Sequence, residues 1–278
     1  MTEHYSAAQL APEYRDRGVV FLPNALTLKT MQLALQAYEW SLTHPGPGAS
    51  QLPSKGDGEF YQDLANPAAL AAYAQLLQCA EIKSLVSAAW NKPEVWFLYE
   101  QVFKKSGGST RRTPWHQDTP YLPVTGDDLA VMWISFDPVS QSQALEFVPG
   151  SHRGLLYDGS SFDPADDTAP LYGDGSLPRL PDIEAARDQW SVVSWATEPG
   201  DVVLFHPAML HGGGDTGPGQ QRRTLSLRFF GQDARVAQRP GRRPVETDSL
   251  EGNHVHPLTR MRAAQEGAPF RDPAFPKL

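Results

Sequence analysis

The distribution of apolar positions divides the chain near Trp90. Before it they recur at helical spacing; after it they gather into short runs bounded by Pro, Gly or Asp. RGVVFLPNAL, residues 17 to 26, reads as a short buried strand, and Thr27 then opens an amphipathic helix with Leu28, Met31, Leu35 and Leu42 on one stripe. Asn66 and Pro67, an N-cap followed by a first-turn proline, start a second helical region through AALAAYAQLLQ. AEIKSLVSAAW, residues 80 to 90, is a third. HPGPGASQLPSKGDGEF, between the first two, predicts a flexible polar connection.

Beyond Trp90 the spacing predicts strands over 95–103, 129–136, 144–148, 191–195, 201–205 and 224–230. Many short strands with turn punctuation imply a mainly β protein, a sandwich or barrel with flanking α-helices. The long interruption from about Arg153 to Trp190 is rich in Asp, Gly, Ser and Pro, which in a compact domain marks a functional lid or a disordered insertion. No fixed-period repeat is visible.

Composition narrows the function classes. The chain has 278 residues, 40% hydrophobic and 20% charged, with 25 Pro and 23 Gly, as expected of a turn-rich globular protein. A net charge of -8 gives no overall attraction to nucleic acid. One local basic run, KKSGGSTRR at 104–112, reads as a solvated loop. The single cysteine, Cys79, cannot form an internal disulfide, and no leader or membrane-length apolar window is present, so a cytoplasmic chain is expected.

The chemistry concentrates in PWHQDTPYL, residues 114–122. In an extended strand His116 and Asp118, two apart, project from one face and reach one point. LFHPAMLHGGG, residues 204–214, offers a second histidine, His206 or His211. Two histidines and a carboxylate on one face of a metal, with other positions open, is the arrangement of non-haem iron oxygenases. Arg222, eleven residues past His211, suits a two-pronged pair with an organic carboxylate, with Arg223 as the fallback.

TPWHQD, ALEFVPGSHRG, EPGDVVLFHPAMLHG and RRTLSLRFFG, in this order and spacing, resemble the successive motifs of the phytanoyl-CoA dioxygenase family of iron(II)- and 2-oxoglutarate-dependent oxygenases. The resemblance implies a double-stranded β-helix, a jelly roll holding Fe(II), with 2-oxoglutarate as cosubstrate and O2 as oxidant. It further implies His116, Asp118 and His211 as metal ligands, Arg222 as anchor of the far carboxylate, and Thr113 and Trp133 in the cosubstrate pocket. Asp118 stands where a halogenase of this type needs a small residue, so hydroxylation of a C–H bond is implied instead. His206 is then a pocket-wall or buried hydrogen-bonding residue, Trp115 and Tyr121 are candidate substrate contacts, and Gln117 packs behind the strand.

The expected organisation is one domain over 1–278, with a helical part at about 27–90 and a lid-like insertion at about 154–190 that carries Tyr157, Phe162 and Tyr172. The expected partner is a small-molecule substrate, not nucleic acid or membrane. Two rival classes stand beside this reading: a jelly-roll metalloenzyme with non-oxidative chemistry, an isomerase or hydrolase, and a non-catalytic binding module. A serine hydrolase built on HGGG at 211–214 is excluded because no G-x-S-x-G occurs in the chain. The glycines of that run instead let the backbone turn sharply.

Overall fold

The computed structural model describes residues 5–52, 58–108, 110–217, 219–240 and 255–278. The strands are β1 (Val19–Leu22), β2 (Ser50–Gln51), β3 (Glu59–Leu64), β4 (Trp96–Ser106), β5 (Thr113–His116), β6 (Val124–Thr125), β7 (Leu129–Ser135), β8 (Leu145–Phe147), β9 (Val193–Ser194), β10 (Val202–Phe205), β11 (His211–Gly213), β12 (Arg222–Phe230) and β13 (Arg235–Val236). A seven-stranded sheet runs β1-β10-β7-β12-β4-β3-β2, and a four-stranded sheet runs β5-β11-β8-β9. Every pairing is antiparallel.

The larger sheet is covered on both faces, which is why its central strands read as continuous apolar runs. On β7, Ala130, Met132 and Ile134 join the helix-side core, while Val131 and Trp133 join a second core that includes Phe147 of the smaller sheet. β10 splits the same way, with Val202 and Leu204 on one side and Val203 and Phe205 on the other. On β12, Leu225, Leu227 and Phe229 face the helices, and Arg222, Thr224, Ser226 and Arg228 line a cavity between the sheets. One face of one strand is thus core and the other is chemistry.

The helical layer is α1 (Ala7–Arg17), α2 (Leu28–Thr43), α3 (Ala69–Ala72), α4 (Ala74–Leu77) and α5 (Ala80–Trp90), with α6 (Pro257–Met261) near the C-terminus. Thr27 caps α2 as expected, its hydroxyl accepting from the Thr30 N–H at 3.2 Å. The stripe on α2 differs from the expected one: Leu28 is 76% exposed, and Thr30, Ala34, Ala37, Tyr38 and Ser41 are buried instead. Met31, Leu35 and Leu42 are only partly buried against that core.

Other elements depart from the expectation for local reasons. α1, with a Ser6 and Gln9 capping box, was not anticipated, because its single apolar face is short. The helical region after Asn66 is two one-turn pieces that meet at Tyr73. The expected polar connection contains β2 and the first two residues of β3, and its residues 53–57 lie outside the described residues. β4 runs on to Ser106, so Lys104 and Lys105 belong to a strand, and Lys105 is 1% exposed rather than part of a solvated loop.

Candidate active site

β5 and β11 pair so that His116 and His211 lie directly opposite each other, with ring centroids 4.2 Å apart. Each ring is held by its own backbone two residues upstream: Nδ1 of His116 lies 2.9 Å from the Pro114 carbonyl, and Nδ1 of His211 lies 3.0 Å from that of Met209. A proton on Nδ1 donated to a carbonyl leaves the Nε2 lone pair free. Burial, and then the neighbouring His116, push His211 down to about 3, so the ring stays neutral.

Asp118 reaches the same point by a route that strand alternation does not supply. β5 ends at His116, and Asp118 opens a 3₁₀ turn (Thr119–Tyr121) with helical backbone angles. The N–H groups of Asp118 and Thr119 both donate to the Pro207 carbonyl, at 2.7 and 3.0 Å, which fixes the turn against the loop between β10 and β11. The carboxylate Oδ1 stands 3.5 Å from His116 Nε2, and Oδ2 accepts from Arg228 Nη2 at 2.9 Å. Burial opposes ionisation of Asp118, but the Arg228 charge and the contact with His116 outweigh it and hold the carboxyl well below the usual carboxylate range.

One ligand atom from each of His116, Asp118 and His211 lies within 4.8 Å of the others. Two imidazoles and an ionised carboxylate, all three largely shielded from solvent, fit a divalent first-row ion of borderline character. The donor chemistry therefore agrees with ferrous iron.

A cavity of about 250 Å³ opens beside these groups, and Thr113, Trp133 and Arg222 line it. Arg222 is 7% exposed and donates to the Gln143 carbonyl at 2.8 Å and the Gly214 carbonyl at 2.7 Å. Among the described residues no carboxylate pairs with it, and burial lowers its pKa to about 10. Gly214 has φ +75°, and a Cβ there would run into the Arg222 guanidinium, so the last glycine of HGGG makes room for the arginine. Lys105 also donates to the Gly214 carbonyl, and to that of Arg111 at 3.0 Å. Arg223 points the other way and pairs with Asp137 at 2.7 Å.

The family model for phytanoyl-CoA dioxygenase (PhyH) matches residues 14–224. The chain belongs to the phytanoyl-CoA dioxygenase family. This is a family of Fe(II)- and 2-oxoglutarate-dependent oxygenases, and those two are its cofactors. The chain is 30% identical over 146 residues to the peroxisomal phytanoyl-CoA dioxygenase of Homo sapiens, covering 51% of this chain and 41% of that one. It is 28% identical over 140 residues to a probable alpha-ketoglutarate-dependent hypophosphite dioxygenase of Stutzerimonas stutzeri, covering 48% and 43%. The matches thus span less than half the length of these curated relatives.

Among solved structures, the epimerase SnoN in complex with Fe3+, alpha ketoglutarate and nogalamycin RO superposes with a TM-score of 0.70 at 18% identity, over 98% of both chains. The carbocyclase SnoK gives 0.69 at 19% over 98% of both. EctD from S. alaskensis with bound Fe gives 0.63 at 16%, over 98% of this chain and 92% of that one. These likenesses establish the jelly-roll fold.

Other members of the constellation fall as follows. His206 lies away from the triad: its ring sits 5.4 Å from that of His152, and Nδ1 accepts the Ala208 N–H at 3.1 Å. Trp115 does not line the cavity, contrary to expectation. It packs with Val148, Leu180 and Leu210 on the outer face, and its Nε1 donates to Glu184 at 2.6 Å. Gln117 does lie behind the strand, where Nε2 donates to the Leu155 and Ala208 carbonyls at 3.1 and 2.8 Å and Oε1 accepts from the Tyr157 N–H at 2.8 Å.

The 154–190 segment sends Phe162 into the cavity, its ring edge-on to His116 at 5.3 Å and stacked on Tyr121 at 6.1 Å. Phe162 has φ +57°, a left-handed conformation that costs a side-chain-bearing residue about 1–2 kcal/mol. The Ser160 hydroxyl accepts its N–H at 2.9 Å, and Arg111 donates to its carbonyl at 3.2 Å.

Sequence reasoning missed Arg228, Lys105 and the aromatic residues of β3 and β4. For Arg228 a signal existed: in RRTLSLRFF the polar residues 222, 224, 226 and 228 alternate with the apolar 225, 227 and 229, which predicts one wet face.

Proposed function

We propose that this protein is a dioxygenase that hydroxylates a C–H bond of a small molecule, with His116, Asp118 and His211 as the iron ligands. The observation that carries the reading is the buried convergence of those three side chains beside an arginine that has no carboxylate partner among the described residues. Arg222 pairs with the far carboxylate of 2-oxoglutarate, and Thr113 and Trp133 wall the same pocket. When bound, Fe(II) with 2-oxoglutarate supplies activation of O2 coupled to oxidative decarboxylation to succinate and carbon dioxide.

The chain's own residues do the rest. The carbonyls of Pro114 and Met209 keep both imidazoles in the ligating tautomer. Arg228 occupies one oxygen of Asp118 and leaves the other for the metal. Phe162 and Tyr121 shield the ligand face from bulk water, and the 154–190 segment acts as a lid over a single domain. Family membership favours oxidative chemistry over the isomerase, hydrolase and binding-module readings. Cytoplasmic residence belongs to the same proposal and rests on the single cysteine; the human relative's name is peroxisomal.

A second reading has specific support. SnoN and SnoK are named as an epimerase and a carbocyclase, so attack on a C–H bond that ends in inversion or ring closure rather than hydroxyl transfer is the alternative outcome. Anaerobic addition of ferrous iron and 2-oxoglutarate tests the common part: a visible charge-transfer band is expected in the natural protein and is lost in His116→Ala and Asp118→Ala. A band that persists in both variants refutes the ligand assignment. A metabolite screen for stimulated succinate release, with products weighed by mass spectrometry, separates hydroxylation (one added oxygen) from the alternative.

A further inference from the structure

The cavity continues from the triad toward β3 and β4, and there its chemistry changes. Gln62 and Gln101 face it as a diagonal cross-strand pair: Gln62 lies opposite Phe103, and Gln101 opposite Leu64. Gln62 Nε2 donates to Ser50 Oγ at 3.2 Å, and Gln62 Oε1 accepts from Gln101 Nε2 at 3.1 Å. This relay sets both carboxamides and leaves Gln101 Oε1 without a donor among the described residues. On the other β4 edge Gln101 lies opposite Ser226, whose next neighbour is Trp133 of the cosubstrate pocket. The carboxamide strip therefore adjoins the place where the reaction occurs.

Aromatic rings bound the strip on two sides. Phe60 and Phe103 stand 6.0 Å apart on the sheet, and Phe162 and Tyr121 form the opposite wall. The guanidinium groups that line the cavity are engaged. Arg111 pairs with Asp167, Arg112 with Glu146 and Glu184, and Arg228 with Asp118. The remaining N–H groups of Arg228 are enclosed, with its guanidinium over the Tyr99 ring at 4.7 Å, and Arg222 is committed to the cosubstrate under the function proposed above. A substrate anion would find every guanidinium among the described lining residues already engaged and would face the Gln101 carbonyl oxygen. A substrate cation would find the one carboxylate among those residues, Asp118, held by Arg228.

Resting on that functional reading, we propose that the Gln62–Gln101 strip is the recognition subsite for the primary substrate, and that it takes an uncharged molecule with an apolar body and a hydroxyl or carboxamide donor. Gln101 is a specificity-determining residue that reads the donor; Gln62 orients it.

The test titrates the protein, loaded anaerobically with ferrous iron and 2-oxoglutarate, with benzyl alcohol, toluene, benzoate and benzylammonium under calorimetry. Benzyl alcohol is expected to bind tightest, with an advantage over toluene of about three- to tenfold, the value of one neutral hydrogen bond. Gln101→Leu and Gln62→Leu should each abolish that advantage without weakening toluene. Tightest binding by benzoate or benzylammonium, survival of the alcohol's advantage in both variants, or failure of all four probes to bind overturns the proposal. Should Gln101→Leu not fold, Gln62→Leu, closer to the sheet edge, carries the same comparison. The visible band reports separately on the iron reading: if it never forms, that reading falls, while the same titration of metal-free protein still decides the subsite.

Discussion

The inner row of β12 carries an arginine at each end, and the two live in opposite circumstances. Arg228 is buried against a carboxylate, Asp118, which it holds at 2.9 Å. Arg222 is equally buried but meets only backbone carbonyls, those of Gln143 and Gly214. A buried ion pair is settled: removing either partner strands the other charge in a poor solvent. A buried cation hydrogen-bonded only to neutral groups is unsettled, and burial lowers its pKa to about 10 against a smaller upward pull from Asp215. Under the proposed function the same side chain thus serves as a fixture at one end of the cavity and as a receptor at the other.

The sharpest way to break this contrast is to remove one acid. Asp118→Ala should lose about 3–5 kcal/mol of stability in chemical denaturation, because Arg228 is left buried and unpaired, and should lose the iron-dependent visible band as well. A variant as stable as the natural protein would show that Arg228 is not dependent on Asp118.

Arg222→Met should change ligand-free stability by no more than about 1.5 kcal/mol, since the loss of two backbone hydrogen bonds is offset by relief of a buried lone charge. Its affinity for 2-oxoglutarate, by calorimetric titration, should fall about thirtyfold or more, with ferrous affinity little altered. Equal losses for both ligands would erase the distinction between the ends.

Gly214→Ala probes the receptor end more gently. A methyl group at φ +75° is strained and crowds the guanidinium, so a stability loss of about 1–2 kcal/mol and weaker 2-oxoglutarate binding are expected, with iron binding intact.

The last effect is in pH. Burial lowers His206, next to the Pro207 that holds Asp118, to about 4, and His256 also to about 4. The unfolded chain protonates both near pH 6.5 while the native protein does not. Stability should therefore fall as pH drops from about 6.5 toward 4, by up to about 1.4 kcal/mol per pH unit for each histidine. His206→Gln should flatten that slope by about one proton, measured by denaturation across the range. An unchanged slope would mean that His206 is protonated in the native state.

Much of this contrast was legible in the sequence, though unevenly. Strand patterning past Trp90 predicted a mainly β sandwich or barrel, because buried strands advertise themselves by apolar runs, and the motif resemblance narrowed it to a jelly roll. His116, Asp118, His211 and Arg222 stood in recognisable motifs. Yet Asp118 was reached by the wrong geometry: it lies in a turn set by the Pro207 carbonyl, a contact 89 residues distant that no local pattern encodes. Lys105 read as a solvated charge because its acceptors, the carbonyls of Arg111 and Gly214, come together only when β5 and β11 pair. The start of the β3 strand hid at the end of a polar stretch because its inward residues, Phe60, Gln62 and Leu64, mix apolar with polar along the cavity wall. Pairing partners and cavity walls are tertiary facts, and hydropathy reports neither.

Gln117 has a mechanical consequence. It is the residue of the chain between His116 and Asp118, and its carboxamide grips the backbone of residues 155 and 157 at the root of the segment above the cavity. That root cannot lift without pulling on the peptide between His116 and Asp118. Under the proposed function, entry of a guest and the set of the chelating groups are therefore coupled as a hinge is to its latch.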